Sequence, residues 1–253
     1  MTDVLNILNT KVHNVTCQEI MDIIYNSVVT RNAISIHYAN SYTLLLNRYN
    51  KQFAQNSKDI SYFFPDGIGV YIASKFLYGK NGLRGRGTGT DLYFMLMEDF
   101  PKRNITFFFY GGSAKAIEKL KEKFEKEGKS QSIVGLKPRD FSNHEKIIDE
   151  INSTMPDILF IGLGTPYQEE FFTKYRHLIN VPVVMFVGSG IDFIAGTLRR
   201  APLFMRLVGL EWLFRLLVEP GRLWKRYIIG IPCFIISIIY QKLKSKSCEA
   251  QLL

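Results

Sequence analysis

Asp66 closes an apolar run. The stretch SYFFPDGIGVYIASKF (61–76) stops at Pro-Asp-Gly, then resumes with small and apolar residues at helical spacing. A carboxylate at the end of a strand is placed for chemistry, although Pro, Asp and Gly are also ordinary turn formers. Similar points recur along the chain. Asn40 follows AISIHY, and Gly111 and Gly112, with Ser113 behind them, follow ITFFFY. Thr165, Gln168 and Glu169 lie in GTPYQEE after DILFIGL, and Gly188, Gly190 and Asp192 lie in GSGIDFIAG after VPVVMFV. Arg84 and Arg86 sit among glycines in GLRGRGTGTDLYF (82–94). A guanidinium there fits phosphate or carboxylate bidentately, and glycine lets backbone approach a ligand. Each residue also has a plain reading. Asn40 and Asp192 serve as helix caps, Gly111-Gly112 as a turn, Gln168 and Glu169 as the first turn of a solvated helix, and the arginine loop as a mobile surface segment.

Familiar nucleotide fingerprints are missing. GRGTGTD, GIGVYI, GLGTPY and GSGIDF each lack the third glycine of a dinucleotide loop, and no Gly-x-x-x-x-Gly-Lys-Ser/Thr occurs. There is no Asp-x-Asp pair, and the four histidines show no ligand spacing, so no metal site is expected. Cys17, Cys233 and Cys248 are odd in number and far apart, which argues against a disulfide framework and for a reduced compartment. The first residues, MTDVLNILNTKVHN, do not read as a secretory signal.

The elements that must hold these residues are legible. Six continuous apolar runs, at 33–38, 60–64, 105–110, 132–136, 157–163 and 181–187, read as strands covered on both faces. Helical segments lie between them. Thr16–Glu19 and Ser142–Glu145 have capping-box spacing, and AKAIEKLKEKFEKEG (114–128) is an amphipathic helix that Gly128 stops. The alternation predicts an α/β fold, a mostly parallel sheet with helices on both faces, over residues 1–196. Ligands of such sheets bind outside the carboxyl ends of the strands, where the polar residues above gather.

After Gly196 the alternation stops. Residues 197–253 hold ten basic side chains against Glu211, Glu219 and Glu249, so most of the net charge of +9 resides there. The run Tyr227–Tyr240 is apolar but 14 residues long and contains Pro232. Spanning a bilayer takes about 20 residues, so the expectation is a basic, aromatic-rich helical appendage lying in a membrane interface. The plain alternative is a helix packed on the core with its arginines in solvent.

Taken together, FPDGIGV, RGTGTDL, FFYGG, PDILFIGLGTPYQEEF, VGSGIDFIAGTLRRAP and GLEWLFRLLVEPGRLWKRY resemble the WecG/TagA/CpsF glycosyltransferases, glycosyltransferase family 26, in order and spacing over nearly the whole chain. The resemblance implies a Rossmann-like core and inverting transfer from a UDP-sugar to a polyprenyl-diphosphate-linked acceptor at the cytoplasmic membrane face. It implies no metal cofactor and a place in cell-surface polysaccharide or teichoic acid synthesis. Asp66 matches the proposed general base. Asn40, Arg86, Asp91, Gln168 and Asp192 match family motif positions, while Tyr38 stands where the family has Thr. Arg215 and Arg222 match appendage arginines brought to the active site, with Lys225 or Arg226 as the third. Such a reaction needs a base at the acceptor hydroxyl and positive charge at the leaving diphosphate. Other classes are weaker. A non-catalytic nucleotide-binding module would not need Asp66, and the basic tail adjoins an apolar run rather than exposed stacking aromatics, so nucleic acid is not the expected partner. A dehydrogenase would need the absent dinucleotide loop. The sugar and the oligomeric state, homo-oligomer or monomer, stay open at this level.

Overall fold

The computed structural model describes residues 3–250, with the side chains of 246–250 excepted, so those of Lys246 and Cys248 lie outside the described residues. The elements are β1 (Val4–Ile7), β2 (Thr10–His13), α1 (Cys17–Thr30), β3 (Ile34–Ala39), α2 (Ser41–Tyr49), α3 (Lys51–Asn56), β4 (Tyr62–Pro65), α4 (Ile68–Tyr78), α5 (Gly89–Asp99) and β5 (Phe107–Gly111). They continue with α6 (Ala114–Lys126), β6 (Ile133–Lys137), α7 (His144–Thr154), β7 (Ile158–Gly162), α8 (Tyr167–Tyr175), β8 (Val183–Phe186) and α9 (Gly190–Ile194). Four helices follow, α10 (Leu203–Leu207), α11 (Glu211–Val218), α12 (Pro220–Trp224) and α13 (Gly230–Ala250).

The strands form one sheet in the order β1-β2-β4-β3-β8-β7-β5-β6. Every pair is parallel except β1 with β2. All six apolar runs are strands, and β5 and β7 are buried at every residue, as strands covered on both faces must be. One face packs against α2, α4, α7, α8 and α13, the other against α1, α5, α6 and α9. At the carboxyl ends of β5 and β7, Gly111 pairs in register with Gly162. A side chain at Gly111 would strike the Gly162 backbone, so the two strands can approach and end together only as glycines.

Three local expectations meet the structure differently. The N-terminal hairpin β1–β2 went unread. Its alternation, exposed–buried along VLNI and TKVH, is a strand signal, but Leu8 and Asn9 make the turn at φ 47° and 64° without the usual glycine. Thr16 and Glu19 do form a capping box, whereas α7 is capped by Asn143, whose Oδ1 accepts from the Lys146 amide at 3.1 Å. Ser142 is instead drawn to Asp140 Oδ1, donating to it through both its amide and its hydroxyl.

The third difference is the C-terminal helix. Residues Pro220–Ser245 are continuously helical for 26 residues, long and apolar enough by length and composition to cross a membrane. The 14-residue apolar run is only the middle of this helix, which includes a π turn at Lys225–Ile229 and continues through Pro232. One side of α13 docks on the sheet domain. Phe234 and Ile238 are buried in the core, Gln241 accepts from the Leu8 amide at 2.9 Å and donates to the Asn6 carbonyl at 2.8 Å, and Lys242 donates to the Leu77 carbonyl.

Candidate functional site

The carboxyl ends of β3, β4, β7 and β8 border one cavity of about 1340 Å³, closed on its far side by α11, α12 and the start of α13. Asp66 stands at its floor. Its backbone amide donates to Ala39 at the end of β3, and its Oδ1 accepts the Gly89 amide at the start of α5, 2.9 Å away. Gly67, at φ 87°, turns the chain immediately after it and donates to the Gly87 carbonyl. The Pro-Asp-Gly segment is therefore both a turn and a mount. The turn locks one carboxylate oxygen and leaves Oδ2 without a protein partner among the described residues.

Two arginines from the C-terminal helices face this carboxylate. Arg215 donates to Ser189 Oγ at 3.1 Å and lies over the Phe193 ring, while Arg226 lies over the Tyr42 ring at 5.1 Å. The Nε of each is buried with no hydrogen-bond partner. A buried guanidinium donor left unpaired is costly, and an anion in the cavity would relieve it. Burial pushes the Asp66 carboxyl above its ordinary value, opposed by the Gly89 amide and by the charges of Arg226 and then Arg215. Burial likewise lowers the Arg226 pKa. A carboxylate raised in this way is a stronger base than one in water.

The remaining sequence candidates fall into two groups. Asn40, Gly112, Thr165, Gln168, Gly188, Gly190, Asp192, Arg222 and Lys225 line the cavity. Asn40 caps α2, its Oδ1 accepting the Tyr42 and Thr43 amides, so the plain reading of that oxygen holds while the residue still faces the cavity. Gln168 bridges β7 and β8, accepting the Gly188 amide at 3.0 Å and donating to Glu169 at 2.9 Å. Asp192 accepts from Ser113 and Thr197 at 3.3 Å each. Arg222, half-exposed, is held bidentately by Glu219.

Gly111, Arg86 and Asp91 do not line the cavity. Gly111 is a sheet residue. Arg86 donates to the carbonyls of Arg206 at 2.6 Å and Leu207 at 3.4 Å, and Asp91 pairs with Arg200 at 2.5 Å. Together they fasten the RGTGTDL loop to the segment that carries α10. That makes them positioning residues in this structure, acting through the placement of the helices behind it. Thr88, bonded to both the amide and the carboxylate of Asp91, stiffens the same loop.

Sequence reasoning passed over a buried pair beneath the floor. Glu169 is wholly buried rather than solvated, and its Oε1 lies 2.6 Å from His37 Nε2. The same oxygen accepts from Thr165 Oγ1 at 3.0 Å and from Gln168. The pair ties β3 to the GTPYQEE loop, and 132 residues of separation hid it. Tyr38, at the position where the resemblance has Thr, lines the cavity from the side of the sheet that packs against α1 and α5. Its ring packs edge-on to Phe64 and Tyr93, and its buried hydroxyl has no partner. Burial raises its pKa well above the ordinary tyrosine value. Among the described residues, no group of three or more His, Cys, Asp or Glu side chains is arranged to hold a metal ion. The cavity's positive charge comes from Arg215, Arg222, Lys225, Arg226 and Arg139.

A cavity at the carboxyl edge of a parallel sheet, holding one perturbed carboxylate and two guanidinium groups whose buried Nε donors are unpaired, is an arrangement suited to a group-transfer enzyme. The family model described as Glycosyl transferase WecG/TagA/CpsF family matches residues 5–248, and the chain belongs to that family. It is 33% identical over 190 residues to a protein of Bacillus spizizenii, spanning 75% of this chain and 72% of the relative, and 30% identical over 187 residues to one of Bacillus subtilis, spanning 74% and 72%. A Staphylococcus aureus protein is 27% identical over 224 residues, 88% of this chain and 83% of its own. Each of the three is named N-acetylglucosaminyldiphosphoundecaprenol N-acetyl-beta-D-mannosaminyltransferase.

The electrostatics give a signed expectation. Asp66 accepts a proton only when ionised, so kcat/KM should fall as pH drops through its raised pKa, above the ordinary aspartate value of about 3.9. Arg226 lowers that pKa, so Arg226→Gln should move the acid limb to higher pH. A pH–rate profile of the two proteins checks this; a limb that stays put or moves down would mean that Arg226 does not act on Asp66.

Proposed function

We propose that this protein is an inverting glycosyltransferase that moves a hexose from a UDP-sugar to a polyprenyl-diphosphate-linked sugar, as a step in cell-surface polysaccharide or teichoic acid synthesis. The observation that carries the reading is the open Oδ2 of Asp66 in one cavity with the unpaired buried donors of Arg215 and Arg226. Asp66 takes the proton of the acceptor hydroxyl as that oxygen bonds to the anomeric carbon. The bond from that carbon to the diphosphate oxygen breaks, and UDP leaves with the electron pair. Attack from the face opposite the leaving group inverts the centre. Arg215, Arg226 and Arg222 balance the charge that builds on the diphosphate, which is work a divalent cation does in other transferases. Family membership supports the reaction class, and the names of the relatives support N-acetylmannosamine as the first donor sugar to try and N-acetylglucosaminyl diphosphate lipid as the first acceptor.

The same reading puts the protein on the cytoplasmic face of the membrane, held peripherally. Leu203, Phe204, Leu207 and Val208 on and beside α10, and Ile235, Ile239 and Leu243 on α13, are exposed among basic residues. Because α13 is docked on the sheet domain as far as Lys242, its exposed side suits the interface rather than a span across it.

Three measurements test the proposal. In a UDP-release assay with a panel of UDP-sugars and a lipid-linked acceptor, Asp66→Asn should keep UDP binding and lose roughly 10²–10⁴ in turnover, the usual range for a lost general base. Unchanged turnover would remove Asp66 from that role, and release from no donor would remove the enzyme reading. Activity should persist in EDTA; loss reversed by Mg²⁺ or Mn²⁺ would show that the arginines do not suffice. Binding to anionic liposomes should weaken with salt, since each Lys or Arg near the surface contributes about 1 kcal/mol. Equal recovery with neutral and anionic vesicles would argue against electrostatic docking.

A further inference from the structure

The cavity does not end at Asp66. It continues as a groove between α2 and the last helix, and the contacts of those two helices give its direction. Near the site, Arg226 lies over Tyr42 at the start of α2. At the far end, Tyr49 Oη is hydrogen-bonded to Ser237 Oγ at 2.9 Å. Between these two clasps the walls are apolar: Leu45 and Leu46 from α2, and Ile229, Cys233 and Ile236 from the other side. Seven residues of helix separate Tyr42 from Tyr49, a path of about 10 Å. Ile236 is two-thirds exposed, so the groove opens onto the bare apolar side of α13, next to Ile235, Ile239 and Tyr240.

The order along this path is a carboxylate, then cations, then hydrocarbon. Asp66 comes first, Arg226 and Lys225 stand at the groove mouth, and the aliphatic walls follow. A lipid-linked sugar has the same order: a hydroxyl-bearing ring, a diphosphate, and an apolar chain. We propose that this groove seats the first isoprenoid units of the acceptor's polyprenyl chain, with the acceptor's own diphosphate at Lys225, Arg226 serving the departing UDP, and the rest of the chain passing along α13 into the bilayer. The inference rests on the transferase reading above and adds to it the part of the acceptor that the protein itself holds. A soluble sugar acceptor would have no use for these walls, and a second copy of the chain would need a broad face rather than a slot that runs into the active site. The groove also gives α13 a second role, because its buried side fastens it to the core while its rim next to α2 forms one wall of the slot.

The test uses the full-length protein with N-acetylglucosaminyl diphosphate carrying chains of graded length, from a short alkyl group to a polyprenyl, in one detergent at constant micelle concentration. Acceptor KM should fall by roughly tenfold or more as the chain lengthens enough to fill the groove, then level off, because contacts beyond the slot are with detergent. Cys233→Trp and Ile236→Trp, which fill the slot without touching Asp66 or the arginines, should raise the KM of the long-chain acceptor to the short-chain value. Both should leave donor KM and short-chain turnover unchanged, which also shows that they fold. A wild-type KM independent of chain length would overturn the groove while leaving the transferase reading intact, as would tryptophan variants that weaken both acceptors alike. Transfer to no acceptor of any length would instead overturn the reading on which the groove rests.

Discussion

The carboxylate of Asp66 is held at one oxygen by the Gly89 amide and left open at the other, inside a cavity whose cations come from helices at the opposite end of the chain. That arrangement sets conflicting demands. Burial disfavours the charged carboxylate, and burial also strains Arg215 and Arg226, whose Nε atoms have no protein partner. Neither side neutralises the other by direct contact; the space between them is left for a ligand. Much of the fold can be read as support for keeping that space. The paired glycines let β5 and β7 end together at the sheet's carboxyl edge, the His37–Glu169 pair braces the floor, and Arg86 and Asp91 hold the segment that brings the arginines across.

The C-terminal helices join two environments. Their inner side, through Leu223, Tyr227, Phe234 and Ile238, is part of the protein core. Their outer side is apolar and basic, as a lipid headgroup layer requires. On the proposed reading, a helix that walls the cavity and also rests on a membrane would link membrane contact to completion of the site. Removing the helix would expose the core face of α2 and α4 as well as the cavity.

Much of this was legible from residue order alone. Continuous apolar runs marked β3–β8, since strands covered on both faces carry no polar alternation, and the polar residue after each run marked the sheet edge where ligands bind. Asp66 stood out on those grounds before any geometry. What stayed hidden depended on contacts between distant positions. Glu169 looked like a solvated first-turn residue because its partner His37 is 132 residues away. The contacts of Arg86 could not be read locally, because the carbonyls it holds belong to Arg206 and Leu207, 120 and 121 residues away. The hairpin β1–β2 turned on Leu8 and Asn9 in the left-handed region, where composition gives no glycine to announce it. The length of the last helix was obscured by Pro232, which lies near the start of α13 and does not end the helix.

On the proposed mechanism Asp66 and Arg226 act as one charge-coupled site. A double-mutant cycle on kcat/KM, with wild type, Asp66→Asn, Arg226→Gln and the double variant, tests it most directly. Groups acting as a unit give a double variant that loses clearly less than the sum of the two single losses, by a coupling of about 1 kcal/mol or more. Strictly additive losses would contradict the account, because they would mean that the carboxylate and the guanidinium work independently.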